Sequence, residues 1–180
     1  MAKVNSLRHI ALTGYMGSGK TSLGKKLAKE LDYPFIDLDA YIEDKEGQAI
    51  EAIFKAKGEP YFREIESKYL NEILSLKDHP CVLSLGGGAM QLKQNADNLL
   101  ADTFLVYLKF SPKVLKDRLE NSKTIRPLIA GLKGEELEQF ITEHLLKREM
   151  HYNRAHYTLD NVMDIKERIQ LIIKAYYQFK

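Results

Sequence analysis

The sequence predicts an α/β protein in three layers, a parallel sheet with helices packed on both of its faces. Short apolar runs of strand length alternate along the chain with longer stretches of helical period. The strands are separated by stretches of about ten residues or more, enough for a helical crossover between parallel neighbours. The glycine-rich and acidic motifs mostly fall just after strands, where sheets of this kind bind ligands.

Taken in order, Leu7 to Thr13 reads as the first strand, and Thr21 to Leu31 as a helix with Leu23, Leu27 and Leu31 on one face. Pro34 to Leu38 is a second strand, followed by helical stretches at Ala40 to Lys57 and Tyr61 to Leu76. Cys81 to Leu85 and Phe104 to Lys109 are apolar runs of strand length. Gly134 to Asn153 carries Leu137, Phe140, Ile141 and Leu145 at helical spacing. A weak strand at Tyr157 to Leu159 precedes a last helix lined by Ile165, Ile169, Ile172 and Tyr176. No repeat, low-complexity tract or linker divides the 180 residues, so one domain is expected over 1–180.

Asn121 to Gly134 does not fit the alternation. It has no sustained apolar period but contains Lys123, Arg126, Lys133 and two glycines. A loop of that length inside one domain is functional, most often a lid, or else disordered. The basic residues favour a lid beside a phosphate.

The 27 Lys and Arg residues nearly balance the 25 Asp and Glu residues, a net charge of +2. That balance is too even to argue by itself for a nucleic-acid or membrane surface, so cations that matter must be concentrated at a site. Cys81 is the only cysteine, which rules out an intrachain disulfide. Met1 to His9 lacks the apolar core of a secretion signal, and no apolar run approaches the roughly 20 residues that span a bilayer. A cytoplasmic monomer is the expectation, with neither nucleic-acid nor membrane partners.

Gly14-Tyr15-Met16-Gly17-Ser18-Gly19-Lys20-Thr21 matches G-x-x-x-x-G-K-S/T and lies between the first strand and the first helix, the context that pattern requires. Its glycines let backbone N–H groups turn inward around an anion, and the helix beginning near Lys20 adds its positive end. Lys20 can reach the β- and γ-phosphates of a nucleotide, and the Thr21 hydroxyl can coordinate Mg²⁺.

Asp37-Leu38-Asp39 follows the second strand. The two carboxylates suit a metal and a substrate hydroxyl; alternatively Asp39 is the N-cap of the helix it precedes. Gly86-Gly87-Gly88, after Ser84 and Leu85, closes the Cys81 strand. Three glycines serve either a turn with positive φ or a close approach of backbone to ligand. Arg63, Arg118, Arg126 and Arg148 are candidates for carboxylates and phosphates, which guanidinium groups grip in two-pronged fashion, although an isolated Arg on a helix is usually solvated.

In order and approximate spacing, Gly14 to Thr21, Asp37-Leu38-Asp39, Phe62-Arg63, Gly86-Gly87-Gly88, Arg126-Pro127-Leu128 and Arg148 followed by Tyr152 resemble the successive motifs of shikimate kinases, over roughly Ile10 to Tyr157. The resemblance implies ATP-dependent phosphorylation of shikimate at its 3-hydroxyl, a step toward chorismate and the aromatic amino acids, on a five-stranded parallel sheet related to nucleoside monophosphate kinases. It implies ATP contacts from Gly14, Met16, Gly17, Ser18, Gly19, Lys20, Thr21, Ser22, Arg118 and Arg126. Asp39 would hold the acceptor hydroxyl, while Arg63 and Arg148 bind the carboxylate with the Gly86, Gly87 and Gly88 backbone. Phe54 and Phe62 would wall the pocket. Thr21, with Asp37 through water, would order one Mg²⁺, assisted by Ser84. Lys20, Asp39 and Arg126 would carry the catalysis.

Two departures stand out. Arg118 lies one residue further from Arg126 than the arginine expected to cover adenine, and Asp160-Asn161-Val162-Met163 holds no late arginine. Two other readings share the phosphate motif. A sibling kinase for gluconate or a nucleoside monophosphate would not need the glycine triplet with both carboxylate-binding arginines. A nucleotide-sensing protein would leave the whole acceptor set without a purpose.

Overall fold

Among the residues that the computed structural model describes, 8–122 and 126–179, five strands form a single parallel sheet. They are β1 (His9–Thr13), β2 (Phe35–Asp37), β3 (Val82–Ser84), β4 (Thr103–Lys109) and β5 (Tyr157–Asp160), in the spatial order β2-β3-β1-β4-β5. The central strands β1 and β4 pair from His9 with Thr103 to Thr13 with Tyr107, and every residue of that pairing is buried. Strands covered on both faces read as continuous apolar runs, which is why these two are visible in the sequence. The edge strand β5 buries only Leu159, and its signal is correspondingly weak.

The chain path makes the binding crevice. From β1 the chain passes over β3 to reach the edge at β2, whereas from β3 it passes over β1 to reach β4. The connections leaving adjacent strands β1 and β3 therefore diverge, and a crevice opens between their carboxyl ends.

Helix α1 (Lys20–Leu31) buries Leu23 and Leu27 as its period requires. Helix α2 (Leu38–Glu46) ends at Gly47, and α3 (Ile50–Leu74) bends sharply at Gly58, with φ 79° and ψ 175°, two residues before Pro60. The bend brings Phe54 and Phe62 to 4.6 Å between ring centroids. After a short 3₁₀ turn come α4 (Lys93–Asp102) and α5 (Pro112–Glu120), the latter started by the Ser111 hydroxyl accepting from Val114 N–H. A second 3₁₀ turn (Pro127–Ile129) leads to α6 (Gly134–Tyr152), and α7 (Ile165–Gln178) closes the chain. No helix among the described residues is long and apolar enough to cross a membrane.

The five strands and the helices at α1, α6 and α7 lie where the sequence placed them, within a few residues. The expected first strand began at Leu7, which lies outside the described residues. The stretch expected as one helix from Ala40 to Lys57 is two, because Gly47 in the left-handed region ends α2. Helices α4 and α5 were missed. Their buried sides are Asn95, Ala96 and Leu99 in one and Leu115 and Leu119 in the other, too few apolar residues to show a period. Of the segment expected as a lid, Lys123 to Ile125 lie outside the described residues, and Arg126 is described just before the 3₁₀ turn.

Candidate active site

The crevice holds a cavity of about 660 Å³ lined by Met16, Gly17, Gly19, Lys20, Thr21, Ser22, Asp37, Asp39, Ser84, Gly87, Gly88, Arg118, Arg126 and Arg148, with Leu85, Leu119 and Ser122. Residues from three strand ends and four helices thus meet where the sequence predicted one site.

On the β1 side the phosphate loop runs into α1. Gly14, Gly17 and Gly19 take φ of 143°, 82° and 88°, which side chains on Cβ would resist. Lys20 Nζ donates to Gly14 O at 2.8 Å and Tyr15 O at 3.1 Å, so the ammonium lies across the loop's mouth. Burial lowers its pKa to about 8, against the pull of Asp39, so it stays charged at neutral pH. Ser18 and Gly14 are buried within the loop's fold.

Asp37 and Asp39 separate into two roles that the sequence left open. Asp37, not Asp39, caps α2, accepting from Ala40 N–H at 3.4 Å through Oδ1. Its Oδ2 accepts the Thr21 hydroxyl at 2.8 Å. Asp39 lies in the first turn of α2, and burial first, then Asp37 and Glu66, raises its carboxyl to about pKa 6.

Opposite the phosphate loop, the glycine triplet after β3 resolves the other alternative. None of Gly86, Gly87 and Gly88 has a positive φ. Each instead makes room for one functional side chain. A Cβ on Gly86 would lie 2.6 Å from Asp39 Oδ1, on Gly87 3.3 Å from Arg148 Nη1, and on Gly88 2.7 Å from both Arg63 Nη atoms. The first and last of those distances are far inside van der Waals contact, so residues other than glycine would displace the carboxylate or the guanidinium.

The arginines differ in how they are held. Arg148, on α6, donates from Nη1 to Gly87 O at 3.1 Å, and Tyr152 Oη donates to the same carbonyl at 2.7 Å. The buried Nε atoms of Arg148 and Arg126 have no hydrogen-bond partner among the described residues. Both guanidinium groups therefore keep a donor to offer a group that enters the cavity. Arg63 is already engaged, from Nη1 to Glu66 at 2.8 Å and from Nη2 to Glu59 at 3.1 Å, and it stands behind Gly88 rather than among the cavity-lining residues. Phe62 is buried beside it, and Phe54 is partly exposed.

Some of the machinery was missed. Glu66 is buried, paired with Arg63 and adjacent to Gly86; the i, i+3 spacing from Arg63 was the available signal. At the nucleotide end, Arg118 lies 4.0 Å over the Phe110 ring and donates to Ser18 O at 3.3 Å. No arginine stands at 160–163, but Arg168, one turn into α7, lies 5.0 Å from the same ring and donates to Val162 O and Met163 O. Nothing local in the sequence points from α7 to the phosphate loop.

A glycine-shaped loop and a lysine on one side, facing carboxylates and guanidinium groups on the other, can hold two anionic molecules while a phosphoryl group passes between them. On this fold that defines a P-loop kinase. The chain belongs to the shikimate kinase family: the family model described as Shikimate kinase matches residues 16–176. A shikimate kinase of Parabacteroides distasonis is 44% identical over 154 residues, covering 86% of this chain and 88% of the relative. A crystal structure of shikimate kinase from Bacteroides thetaiotaomicron superposes with a TM-score of 0.86 at 37% identity, over 93% of this chain and 97% of the other. One from Acinetobacter baumannii in complex with shikimate gives 0.84 at 35% identity, over 96% and 94%.

Proposed function

We propose that the chain transfers the γ-phosphoryl group of ATP to the 3-hydroxyl of shikimate, giving shikimate 3-phosphate and ADP. The observation that carries this reading is the glycine triplet, whose three missing side chains admit Asp39, Arg148 and Arg63 in turn. A small hydroxy-acid needs that combination, one acceptor for its hydroxyl and guanidinium groups for its carboxylate.

ATP lies with its phosphates in the loop from Gly14 to Thr21, contacted by Met16, Ser18 and Ser22, and its base beside Arg118. Thr21 and Asp37 offer hard oxygens at the loop's mouth, and no cluster of three or more His, Cys, Asp or Glu stands among the described residues. That donor set fits Mg²⁺, which keeps several waters and takes the rest of its ligands from phosphates. When bound with ATP, Mg²⁺ supplies neutralisation of phosphate charge.

Shikimate lies against Gly86 to Gly88 with Phe54 and Phe62 as wall. Arg148 grips its carboxylate directly. Arg63 reaches it when the carboxylate competes with Glu59, the exposed and weaker of its two partners. Asp39 orients the hydroxyl and, with a pKa near 6, is ionised at neutral pH and able to take its proton. Lys20 and Arg126 offset charge as the phosphoryl group moves in line. Residues 121–134 act as a lid that closes with Arg126 and excludes water. The setting is a reducing cytoplasm, with the buried Cys81 remaining a thiol, and the working form is a monomer.

Coupled ADP release with a panel of shikimate, gluconate and nucleoside monophosphates tests the reading. Turnover is expected with shikimate alone. Gluconate or a nucleotide as the preferred acceptor would overturn it, and ATP hydrolysis indifferent to every acceptor would favour a nucleotide sensor.

A further inference from the structure

One helix touches both halves of the cavity. On α6, His144, Arg148 and Tyr152 follow at four-residue spacing and share a face. Arg148 and Tyr152 are bonded to Gly87 O on the acceptor side. His144 reaches the donor side, where its Nδ1 lies 2.8 Å from the hydroxyl of Tyr15, with the two rings edge to face at 5.6 Å. Tyr15 is the second residue of the phosphate loop and is only 1% exposed.

Tyr15 is also bonded to the loop's lysine, since its carbonyl accepts Lys20 Nζ at 3.1 Å. Its main chain therefore meets the group that reaches for nucleotide phosphates, and its side chain meets the helix that bears Arg148. Burial pushes the Tyr15 hydroxyl up to about pKa 12, and burial, then Arg148 and Lys147, lowers His144. Both are neutral near pH 7, so the Tyr15 hydroxyl and Nδ1 share one hydrogen bond whose donor is set by the imidazole tautomer. A phosphate entering the loop would compete with the Gly14 and Tyr15 carbonyls for Lys20 Nζ and draw it away from them. A side chain as tightly enclosed as Tyr15 passes such a shift on, because packed interiors have little free space to absorb it.

We propose that the Tyr15–His144 hydrogen bond is a positioning link between the two substrate sites, setting where α6 and Arg148 sit relative to the phosphate loop so that nucleotide tightens the grip on the acceptor. The link rests on the acceptor being shikimate, as argued above.

Calorimetric titration of the full chain with shikimate, with and without saturating MgADP, reads the coupling directly. Wild type is expected to bind shikimate about 5- to 10-fold more tightly with MgADP, at the lower end of usual coupling between sites. Tyr15→Phe keeps the ring and removes only the hydroxyl; His144→Leu removes its partner. Each should bring the ratio close to one while MgADP affinity and melting temperature stay near wild type, and the double variant should lose no more than either single one. His144→Asn, whose side-chain oxygen can replace Nδ1, should restore much of the ratio. An unchanged ratio in both single variants, additive losses in the double variant, or an equal fall in affinity for both ligands would overturn the link, as would a wild-type ratio of one. Failure of wild type to bind shikimate at all would instead defeat the acceptor assignment.

Discussion

The donor and acceptor halves of this cavity are built in opposite ways. The phosphate loop is eight consecutive residues whose shape comes from glycines at positive φ. The acceptor wall takes Asp39 from α2, Arg63 from α3, three glycines from the β3 end and Arg148 from α6. Those residues are spread along the chain from Asp39 to Arg148, and each functional side chain stays in place because a neighbour yields space or accepts a hydrogen bond. A donor site of the first kind tolerates change elsewhere in the fold; an acceptor site of the second kind depends on several elements at once.

Lys20→Met tests the donor half with the largest expected effect. Turnover should fall by at least about 100- to 1,000-fold, the range for removing one preorganised charge-stabilising group. Shikimate binding measured by calorimetry should be nearly unchanged. Near-full activity at saturating ATP would refute the assignment of the loop.

Asp39→Asn should lower kcat by about 100-fold and yet stabilise the fold. The Asp39 carboxyl is raised from 3.8 to about 6, so between those values the native chain holds a proton that the unfolded chain has lost. Stability therefore falls as pH rises through that window, and the whole penalty is present above it. Removing the charge should add about 1–3 kcal/mol at pH 7, seen as a higher melting temperature at pH 7 with little change at pH 4. In wild type, kcat/KM for shikimate should decline as pH drops through about 6.

Arg148→Ala and Arg63→Ala compare two members of the acceptor wall. Each should raise KM for shikimate by about 10- to 150-fold, corresponding to a charge-assisted bond, with KM for ATP little affected. Only Arg63→Ala should also destabilise the protein, by about 3–5 kcal/mol, because it leaves Glu66 buried without its cation. Equal melting temperatures for the two variants would break that distinction.

Arg126→Ala should produce the smallest change in binding and a fall in kcat of about tenfold or more, larger than the change in either KM, as for a contact made chiefly in the transition state. Melting should shift by less than about 0.5 kcal/mol equivalent. Unchanged kcat, with tryptic cleavage near Lys123 or Lys133 unaffected by ATP analogue and shikimate together, would remove the lid.

The same contrast explains what could be read in advance. The phosphate loop, the central strands β1 and β4 and the amphipathic helices α1 and α7 were legible because their causes are local: glycine at defined spacing, continuous apolar runs, a repeating apolar face. Candidate acceptor residues were also legible as residues, but not their arrangement. That Asp37 caps α2 while Asp39 faces the glycine loop depends on where β2 ends, and sequence patterns locate such ends only within a few residues.

By itself, then, the sequence determined the layered α/β class, the phosphate site and the family to which the chain belongs, since each rests on contiguous or regularly spaced residues. Only the tertiary structure decided that the glycine triplet serves side-chain approach rather than a positive-φ turn, that Glu66 holds Arg63, and that Arg168 and His144 come to the phosphate loop from helices far along the chain. Those are contacts between distant segments, and their distances are set by how the helices pack on the sheet, which no local pattern encodes.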